Sequence, residues 1–118
     1  MSNPAVVFGG PSPEHDVSIL TGLQFALALA RTGRDPHAIY WSKSGTWHLV
    51  PADSEAADFV DGPPKKARDL SLDVSPSGGF VLKKRRLEIS VIANCCHGGP
   101  GEDGTLQGVF DICGFRYT

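Results

Sequence analysis

Two glycine-rich loops contain most of the side chains in this sequence that could bind a ligand or act in catalysis. The loop at residues 97–108 places His97 and Glu102 among four glycines that fall within eight residues, and glycine lets a backbone approach a small ligand closely. Asp103 in the same loop is a good candidate for a helix N-cap, which would give it a structural role. His97 and Glu102 occupy neither a favourable cap position nor an apolar face, so we identify them as candidate functional residues.

The loop at residues 9–18 places Glu14 and Asp16 near the start of a predicted helix. It lacks the G-x-G-x-x-G spacing of dinucleotide-binding loops and the Gly-Lys-Ser/Thr of P-loops, so the sequence disfavours a nucleotide site here. Carboxylates at a helix N-terminus interact with the helix dipole by about 0.3–1 kcal/mol. The residues alone therefore leave two roles open for Glu14: a ligand-binding carboxylate and a helix-terminus charge.

The three cysteines do not have the pattern of a disulfide framework, because their number is odd and Cys95 and Cys96 are adjacent. Adjacent residues of a strand point to opposite faces, so these two thiols cannot easily share a metal ion, and no C-x-x-C pair is present. A nucleophilic Cys96 beside His97 would lack an orienting partner. We predict free thiols, no metal site, and two small buried residues at a strand end.

The elements that position these loops follow a strand–helix–strand order. Residues 5–8 form an apolar run typical of a buried strand, and residues 16–31 have leucines at helical spacing. Ser12 before Pro13 is a possible N-cap for this helix. Residues 37–42 predict a second strand, and residues 46–50 could pair back on it as a hairpin. The pattern predicts an α/β, Rossmann-like three-layer domain with a mainly parallel sheet, whose ligands bind at the carboxyl ends of the strands.

The rest of the chain continues this alternation less regularly. Residues 51–78 contain many prolines, acids and serines, and predict surface loop with at most a short helix near 54–60. Residues 79–83 and 88–93 predict two strands, and the basic residues 83–86 between them predict a solvated hairpin turn rather than a phosphate site. An apolar stripe predicts a second helix that ends at Gly114, and residues 115–118 begin another strand. The stripe consists of Leu106, Val109, Phe110 and Cys113.

Composition indicates an ordinary globular domain of 118 residues, with 41% hydrophobic and 20% charged residues. The net charge of −2 makes nucleic acid and anionic membranes poor candidates as partners. No apolar segment approaches the length of a membrane span, and residues 1–4 lack the features of a signal peptide. We therefore expect a cytoplasmic protein.

Taken together, the two loops resemble the motifs of D-alanine–D-alanine ligases, members of the ATP-grasp superfamily. Residues 9–18 match the first motif as Gly9-Gly10-x-Ser12-x-Glu14-His15-Asp16-Val17-Ser18. Residues 97–108 match the second as His97-Gly98-x-x-Gly101-Glu102-Asp103-Gly104-Thr105-Leu106-Gln107-Gly108. The resemblance covers essentially the whole chain, most weakly at 51–78. It implies that residues 1–118 form the N-terminal, pre-ATP-grasp domain, which binds substrate.

The resemblance also implies an activity and site residues. Family members use ATP and magnesium to activate the carboxylate of one D-alanine as an acyl phosphate, and the amine of a second D-alanine then attacks it. The product is the D-Ala-D-Ala dipeptide of peptidoglycan. By resemblance, Glu14 binds the ammonium of the first D-alanine, His97 and Ser18 belong to the same substrate site, and His97 and Glu102 are the candidate catalytic residues. The same likeness implies a homodimer formed through this domain.

Several positions depart from the family pattern, and the chain is shorter than the family enzyme. Pro11, Asp16 and Arg116 replace commoner residues, which leaves the second substrate open between D-alanine and a hydroxy acid such as D-lactate. The family's central and C-terminal domains bind ATP, magnesium and the second substrate, and this sequence has no candidate for them. We expect a truncated ligase that is inactive alone and binds no cofactor. A stand-alone amino-acid-binding or interaction module is the alternative.

Overall fold

The computed structural model describes residues 2–118, so Met1, the first residue of the segment assessed for a signal peptide, lies outside the described part. Eleven short elements form one sheet flanked by helices. The strands are β1 (Asn3–Gly9), β2 (His37–Trp41), β3 (Trp47–Val50), β4 (Arg68–Asp73), β5 (Gly79–Leu82), β6 (Arg85–Arg86) and β7 (Ile89–Asn94). The helices are α1 (His15–Arg31) and α2 (Thr105–Cys113), and single 3₁₀ turns span Ala56–Phe59 and Gly99–Gly101.

Three layers are present, as predicted, because the two helices cover opposite faces of the sheet. Alternate side chains of β1 point to opposite faces: Val6 and Phe8 pack on the α1 side, whereas Ala5 and Val7 pack on the α2 side. All four are fully buried, which explains the unbroken apolar run. A Cβ on Gly22 of α1 would collide with the Phe8 side chain, so glycine is what allows α1 to lie this close to β1.

The α/β class is confirmed, but the sheet is mixed rather than mainly parallel. Its order is β6-β5-β4-β3-β2-β1-β7, and β1 runs parallel to both β2 and β7. The pairs from β2 through β6 are antiparallel. Connection length explains three of these pairs, since short turns join only antiparallel strands, whereas the longer segment 51–67 joins β3 to β4. The predicted hairpin after β2 is confirmed, and the chain then continues the same meander.

The prediction of surface loop for residues 51–78 was wrong for β4, although the 3₁₀ turn at Ala56–Phe59 agrees with the short helix predicted near 54–60. β4 has the sequence Arg-Asp-Leu-Ser-Leu-Asp, and within it only Leu70 is buried. Such a strand buries little apolar surface, so its pattern is weak. Its existence depends on pairing with β3 and β5, which a reading of local sequence does not reveal.

The sheet has to curve, because its two edge strands are consecutive in the chain. β6 and β7 lie at opposite edges, yet only Leu87 and Glu88 separate them. A hairpin turn is present within the predicted residues 83–86, but only Lys83 and Lys84 form it, with φ of 47° and 71°, the left-handed pair of a tight turn. It joins β5 to β6, whereas the strand predicted at 88–93 corresponds to β7 and does not pair with β5. This curvature brings the hairpin of β5 and β6 near the beginning of β1.

The helix boundaries agree with the predicted pattern except at the two N-caps, because Gly104 rather than Asp103 holds the N-cap position of α2. α1 begins at His15, with Glu14 at the N-cap position, so Ser12 is not the cap. Asp103 accepts the Thr105 N–H at 3.0 Å, so it does satisfy a donor at the start of α2. Gly114 ends α2 at φ 81°, as predicted, and Tyr117 bridges to Ile92 in parallel as the start of a further strand. Neither described helix is long and apolar enough to cross a membrane.

Candidate functional site

The two glycine-rich loops meet because the strands before them are neighbours. β1 and β7 pair in parallel, with Val7 opposite Asn94, so both strands end at the same edge of the sheet. The first loop then leads into α1 and the second into α2. Ser12 connects them directly, since its hydroxyl donates to the His97 carbonyl oxygen at 2.7 Å. This contact joins positions 85 residues apart in the chain.

Ser12 holds the first loop in place from both sides. Its oxygen also accepts the Glu14 N–H at 3.0 Å, which turns the chain just before α1. Gly98 stands against this turn, and a Cβ there would lie 2.9 Å from Ser12 Oγ and 3.2 Å from Glu14 Oε2. Gly98 also has a φ of 69°. The close approach of the two loops therefore requires glycine at position 98 for both space and backbone conformation.

Glu14 presents a carboxylate at this junction that has no partner in the described part of the chain. Its side chain is exposed and makes no cap hydrogen bond to α1, and no ion pair with it occurs among residues 2–118. A carboxylate acting only as a helix cap would hydrogen bond to a free N–H of the first turn. The geometry therefore favours the ligand-binding role over the capping role, while an interaction with the helix dipole remains compatible with it.

His97 is half-buried, and its hydrogen bond indicates which nitrogen carries the proton. Nε2 lies 3.2 Å from Thr21 Oγ1, and that hydroxyl donates its only proton to the Val17 carbonyl oxygen. Nε2 must therefore be the donor to Thr21. In the neutral ring Nδ1 is then an acceptor, and it has no hydrogen-bond partner among residues 2–118. His97 can thus accept a hydrogen bond from a ligand.

Glu102 lies on the other side of Gly98. Its Oε1 accepts the Gly98 N–H at 3.1 Å, which folds the second loop back on itself. Gly98 is consequently flanked by two carboxylates, one near its Cα and one on its N–H. Two carboxylates beside an exposed backbone create a negative environment, and this arrangement suits a cationic group such as an ammonium.

Ser18 lies beneath the loops, away from the surface at which a ligand would bind. It is fully buried, and its hydroxyl accepts the Gly9 N–H at 2.8 Å and donates to the Cys95 carbonyl oxygen at 2.7 Å. It thereby joins the carboxyl ends of β1 and β7. A bound molecule would have to displace one of these two bonds to reach the Ser18 hydroxyl.

His15 is a supporting residue that the sequence reasoning did not single out. It is buried, with Nδ1 2.7 Å from the Gly10 carbonyl oxygen and Nε2 2.8 Å from the Tyr40 hydroxyl. Because a carbonyl only accepts, Nδ1 carries a proton, and in the neutral ring Nε2 then accepts from the Tyr40 hydroxyl. Burial, followed by the nearby charge of Asp16, raises the pKa of Tyr40, which keeps that hydroxyl a donor.

A signal for this residue was present in the spacing. His15, Ser18, Ile19 and Gly22 occupy positions i, i+3, i+4 and i+7, and all are on the buried side of α1. A histidine on such a stripe predicts a core histidine with hydrogen-bond partners. Through its bonds to Gly10 and Tyr40, His15 connects the first glycine loop to β2.

The cysteines behave as the alternation of a strand predicts. Cys95 packs on the α1 side of the sheet and Cys96 on the α2 side, and both are buried free thiols. Burial, followed by the charge of Cys95, raises the pKa of Cys96 to about 12. A thiol in that state is a poor nucleophile at neutral pH, which argues against catalysis by Cys96.

A cavity of the described chain lies away from this junction. It has a volume of about 610 Å³ and opens between the start of α1, the end of β2 and the 3₁₀ turn at Ala56–Phe59. It includes His15 and Asp16, but none of Glu14, His97 and Glu102 lines it. The junction of the loops is an open surface formed by converging polar groups, and its chemistry rather than its depth identifies it as the candidate site.

Comparison with known proteins gives one consistent result. The profile of the family described as "D-ala D-ala ligase N-terminus" matches residues 3–118. The vancomycin B-type resistance protein VanB of Enterococcus faecalis is 36% identical over 97% of this chain and 33% of its own length. A D-alanine–D-alanine ligase of Leptospira interrogans is 35% identical over 100% of this chain and 34% of its own length.

A solved structure agrees with the fold. The D-alanine–D-alanine ligase of Coxiella burnetii superposes with a TM-score of 0.78 at 23% identity, over 98% of this chain and 34% of that one. The chain thus spans about a third of the length of the relatives it matches. With the family profile matching nearly every residue, this chain belongs to the D-alanine–D-alanine ligase family and has the fold of its N-terminal domain.

Proposed function

We propose that residues 1–118 bind the first D-alanine of a D-alanine–D-alanine ligase. The observation that carries this proposal is the unpaired carboxylate of Glu14, held at the junction of the two loops by Ser12 and Gly98. An ammonium would give this carboxylate the charge-assisted hydrogen bond that it lacks in the described chain. A small amino acid suits a junction in which glycine keeps the loop backbone close.

The neighbouring residues complete this proposed site. His97 offers Nδ1 as an acceptor beside the first D-alanine, and its Nε2 is fixed by Thr21. Glu102 holds the Gly98 N–H and so fixes the shape of the second loop. Ser18 and His15 act from below, since each connects a glycine loop to the sheet through buried hydrogen bonds. We assign these two residues to positioning rather than to substrate contact.

The reaction that we propose for the full-length protein follows from the family resemblance. A carboxylate oxygen of the first D-alanine attacks the terminal phosphorus of ATP, ADP leaves, and an acyl phosphate forms. The amine of the second D-alanine attacks the acyl carbon, phosphate leaves, and the amine loses a proton. The dipeptide product would serve peptidoglycan synthesis in the cytoplasm, and D-lactate remains the alternative second substrate.

The two glycine loops do not fit ATP, and the described residues do not fit magnesium. No group of three or more His, Cys, Asp or Glu side chains among residues 2–118 could hold a metal ion, and neither glycine loop contains a lysine. We therefore place the nucleotide and its magnesium ion in the ATP-grasp parts of the family enzyme that lie outside this chain. Homodimerisation through this domain, also implied by the family, is tested by the molar mass in solution.

Phosphate release and dipeptide formation test the proposed function. A full-length protein that contains this chain should release phosphate and form dipeptide with D-alanine, ATP and magnesium, and L-alanine should not replace D-alanine. If the folded full-length protein binds D-alanine but forms neither product, the ligase assignment fails and a non-catalytic amino-acid-binding module takes its place. If it binds no D-alanine, the site assignment fails as well.

A further inference from the structure

A second cavity, at the end of the sheet opposite the glycine loops, concentrates positive charge. It has a volume of about 480 Å³ and lies where β1, β2 and β4 begin, beside the hairpin of β5 and β6. The curvature of the sheet brings these segments together. Its charged and titratable lining residues are His37, Arg68, Lys83, Arg85, Arg86 and Glu88.

The charge of this cavity is opposite to that of the rest of the chain. The sequence has 11 lysines and arginines and 13 acidic residues. Four of the 11 basic residues line the cavity with one of the 13 acidic residues, which leaves 7 basic and 12 acidic residues elsewhere. The cavity therefore carries a formal charge of +3 and the remainder −5, which together give the net −2. This separation is much sharper than the small net charge suggests.

Most of these cations have no partner in the described chain. The side chains of Arg68, Lys83 and Arg85 form no hydrogen bond or ion pair with any of residues 2–118. Arg86 donates to the Ser77 carbonyl oxygen at 2.7 Å, which fixes its guanidinium without neutralising it. Like charges placed together repel one another, and an anion would relieve that repulsion.

Regular structure holds the backbone of these residues. Arg68 pairs with Leu49 in the sheet, and Arg85 pairs with Leu82 across the hairpin. Lys83 is in the tight turn, at a φ of 47°. The charged side chains therefore extend from defined positions on two sides of one concavity. A binding site built on strands is more precisely placed than one built on a flexible loop.

We propose that this cavity binds a small anion carrying two or more phosphate groups, with Arg68, Lys83 and Arg85 as its main ligands. Guanidinium groups match the paired oxygens of a phosphate, and lysine adds a compact charge. The volume lies within the range of about 300–1,000 Å³ typical of small-molecule sites. A small ligand is favoured over a nucleic acid because the remaining −5 charge would repel a long polyanion outside the cavity.

Isothermal titration with tripolyphosphate, without magnesium, tests the proposal. The variant Arg68→Gln/Arg85→Gln removes two charges from the cavity. The matched control, Lys65→Gln/Lys66→Gln, removes two charges from exposed residues that line a different cavity together with acidic side chains. Wild type and control should bind with affinities within about threefold of each other, and the cavity variant should bind at least about tenfold more weakly. Raising the salt concentration should weaken binding to the wild type.

Circular dichroism in the same samples establishes that each variant is folded. If the double variant does not fold, the affinities of the single variants Arg85→Gln and Lys65→Gln are compared instead. Arg85 is exposed on an edge strand, so its replacement should not disturb the fold. Equal weakening in cavity and control variants would overturn the proposal in favour of general charge attraction. Absence of binding to folded wild type, or tighter binding of a single-stranded oligonucleotide than of tripolyphosphate, would overturn it too. None of these results bears on the proposed D-alanine site at the glycine loops.

Discussion

Glu14 and Asp16 are two carboxylates in the same helix turn that the structure places in different surroundings. Glu14 lies against Gly98 at the junction of the loops, whereas Asp16 lines the cavity on the other side of α1. Both can interact with the dipole of α1, but only Glu14 lies where the proposed substrate binds. Asp16 is therefore a matched control for the charge of Glu14.

In the full-length enzyme, we expect Glu14→Gln to raise the Michaelis constant for the first D-alanine and to lower catalytic efficiency (kcat/KM) by roughly ten- to a hundredfold. The change keeps the shape of the side chain but removes an ion pair worth about 1.5–3 kcal/mol. Asp16→Asn should leave the D-alanine constants nearly unchanged. Steady-state kinetics and melting temperatures of both variants provide the measurement. If both variants lose similar amounts of stability and neither changes the kinetic constants for D-alanine, Glu14 is a helix-terminus charge and the site is misassigned.

The hydrogen bond between Tyr40 and His15 supports the first loop from inside the core. Tyr40→Phe would leave His15 Nε2 buried without its donor, and an unsatisfied buried group costs about 1–3 kcal/mol. Tyr117→Phe is the matched control, because its hydroxyl bonds to Asp111 at 2.9 Å on the exposed surface. We expect chemical denaturation to show a clear loss of unfolding free energy for Tyr40→Phe and less than about 1 kcal/mol for Tyr117→Phe. Equal losses would contradict the supporting role of His15.

At the scale of the elements, the parallel pairing of β1 and β7 determines the site, because it places the ends of both strands at one edge. The loops then approach so closely that position 98 has no room for a side chain. Gly104 has a similar backbone conformation, with a φ of 102°, but a Cβ there would meet nothing within 4 Å. A comparison of substitutions at the two glycines therefore distinguishes the effect of backbone strain from the effect of the contact between the loops.

Alanine at each of these glycines gives a prediction about the loops. Both variants should lose about 1–2 kcal/mol of unfolding free energy, because alanine is strained at positive φ. Only Gly98→Ala should also weaken D-alanine binding in the full-length enzyme, since its Cβ would push against Ser12 and Glu14. Thermal unfolding and D-alanine titration measure the two effects separately. Similar D-alanine affinities for both variants would show that the contact between the loops is not needed for binding.

At the scale of the whole molecule, the two proposed binding sites lie at opposite ends of one sheet. The glycine loops follow the ends of β1 and β7, whereas the cationic cavity surrounds the beginnings of β1, β2 and β4. The chain spans about a third of the length of the relatives it matches, and no group of three or more His, Cys, Asp or Glu side chains among residues 2–118 could hold a metal ion. This division leads to a prediction about the chain alone.

We expect the 118-residue chain to release no phosphate above background with D-alanine, ATP and magnesium. A full-length protein that contains it is the positive control and should turn over. The physical reason is that the described chain has neither a phosphate-cradling loop with a lysine nor a group of ligands for magnesium. Turnover by the folded chain at a rate comparable to the control would show that the catalytic groups are within these residues.

Local sequence determined much of this protein. The apolar run at residues 5–8, the leucine spacing of α1 and the stripe of α2 predicted the elements that contain them, because period and burial are local properties of a chain. Residue types and order in the two loops identified the family to which the chain belongs, and they made Glu14, His97 and Glu102 the candidate site residues. The opposite packing of Cys95 and Cys96 also followed from strand alternation alone.

Tertiary structure decided which of these residues meet. Segments that are distant in the sequence are joined by three sets of hydrogen bonds: those of Ser12 with His97, of the buried Ser18 hydroxyl, and of His15. They depend on strand neighbours and register, which are set by the burial of whole faces and not by any local pattern. The same is true of β4, and of the cationic cavity, which exists because the two-residue link between β6 and β7 makes the sheet curve back on itself.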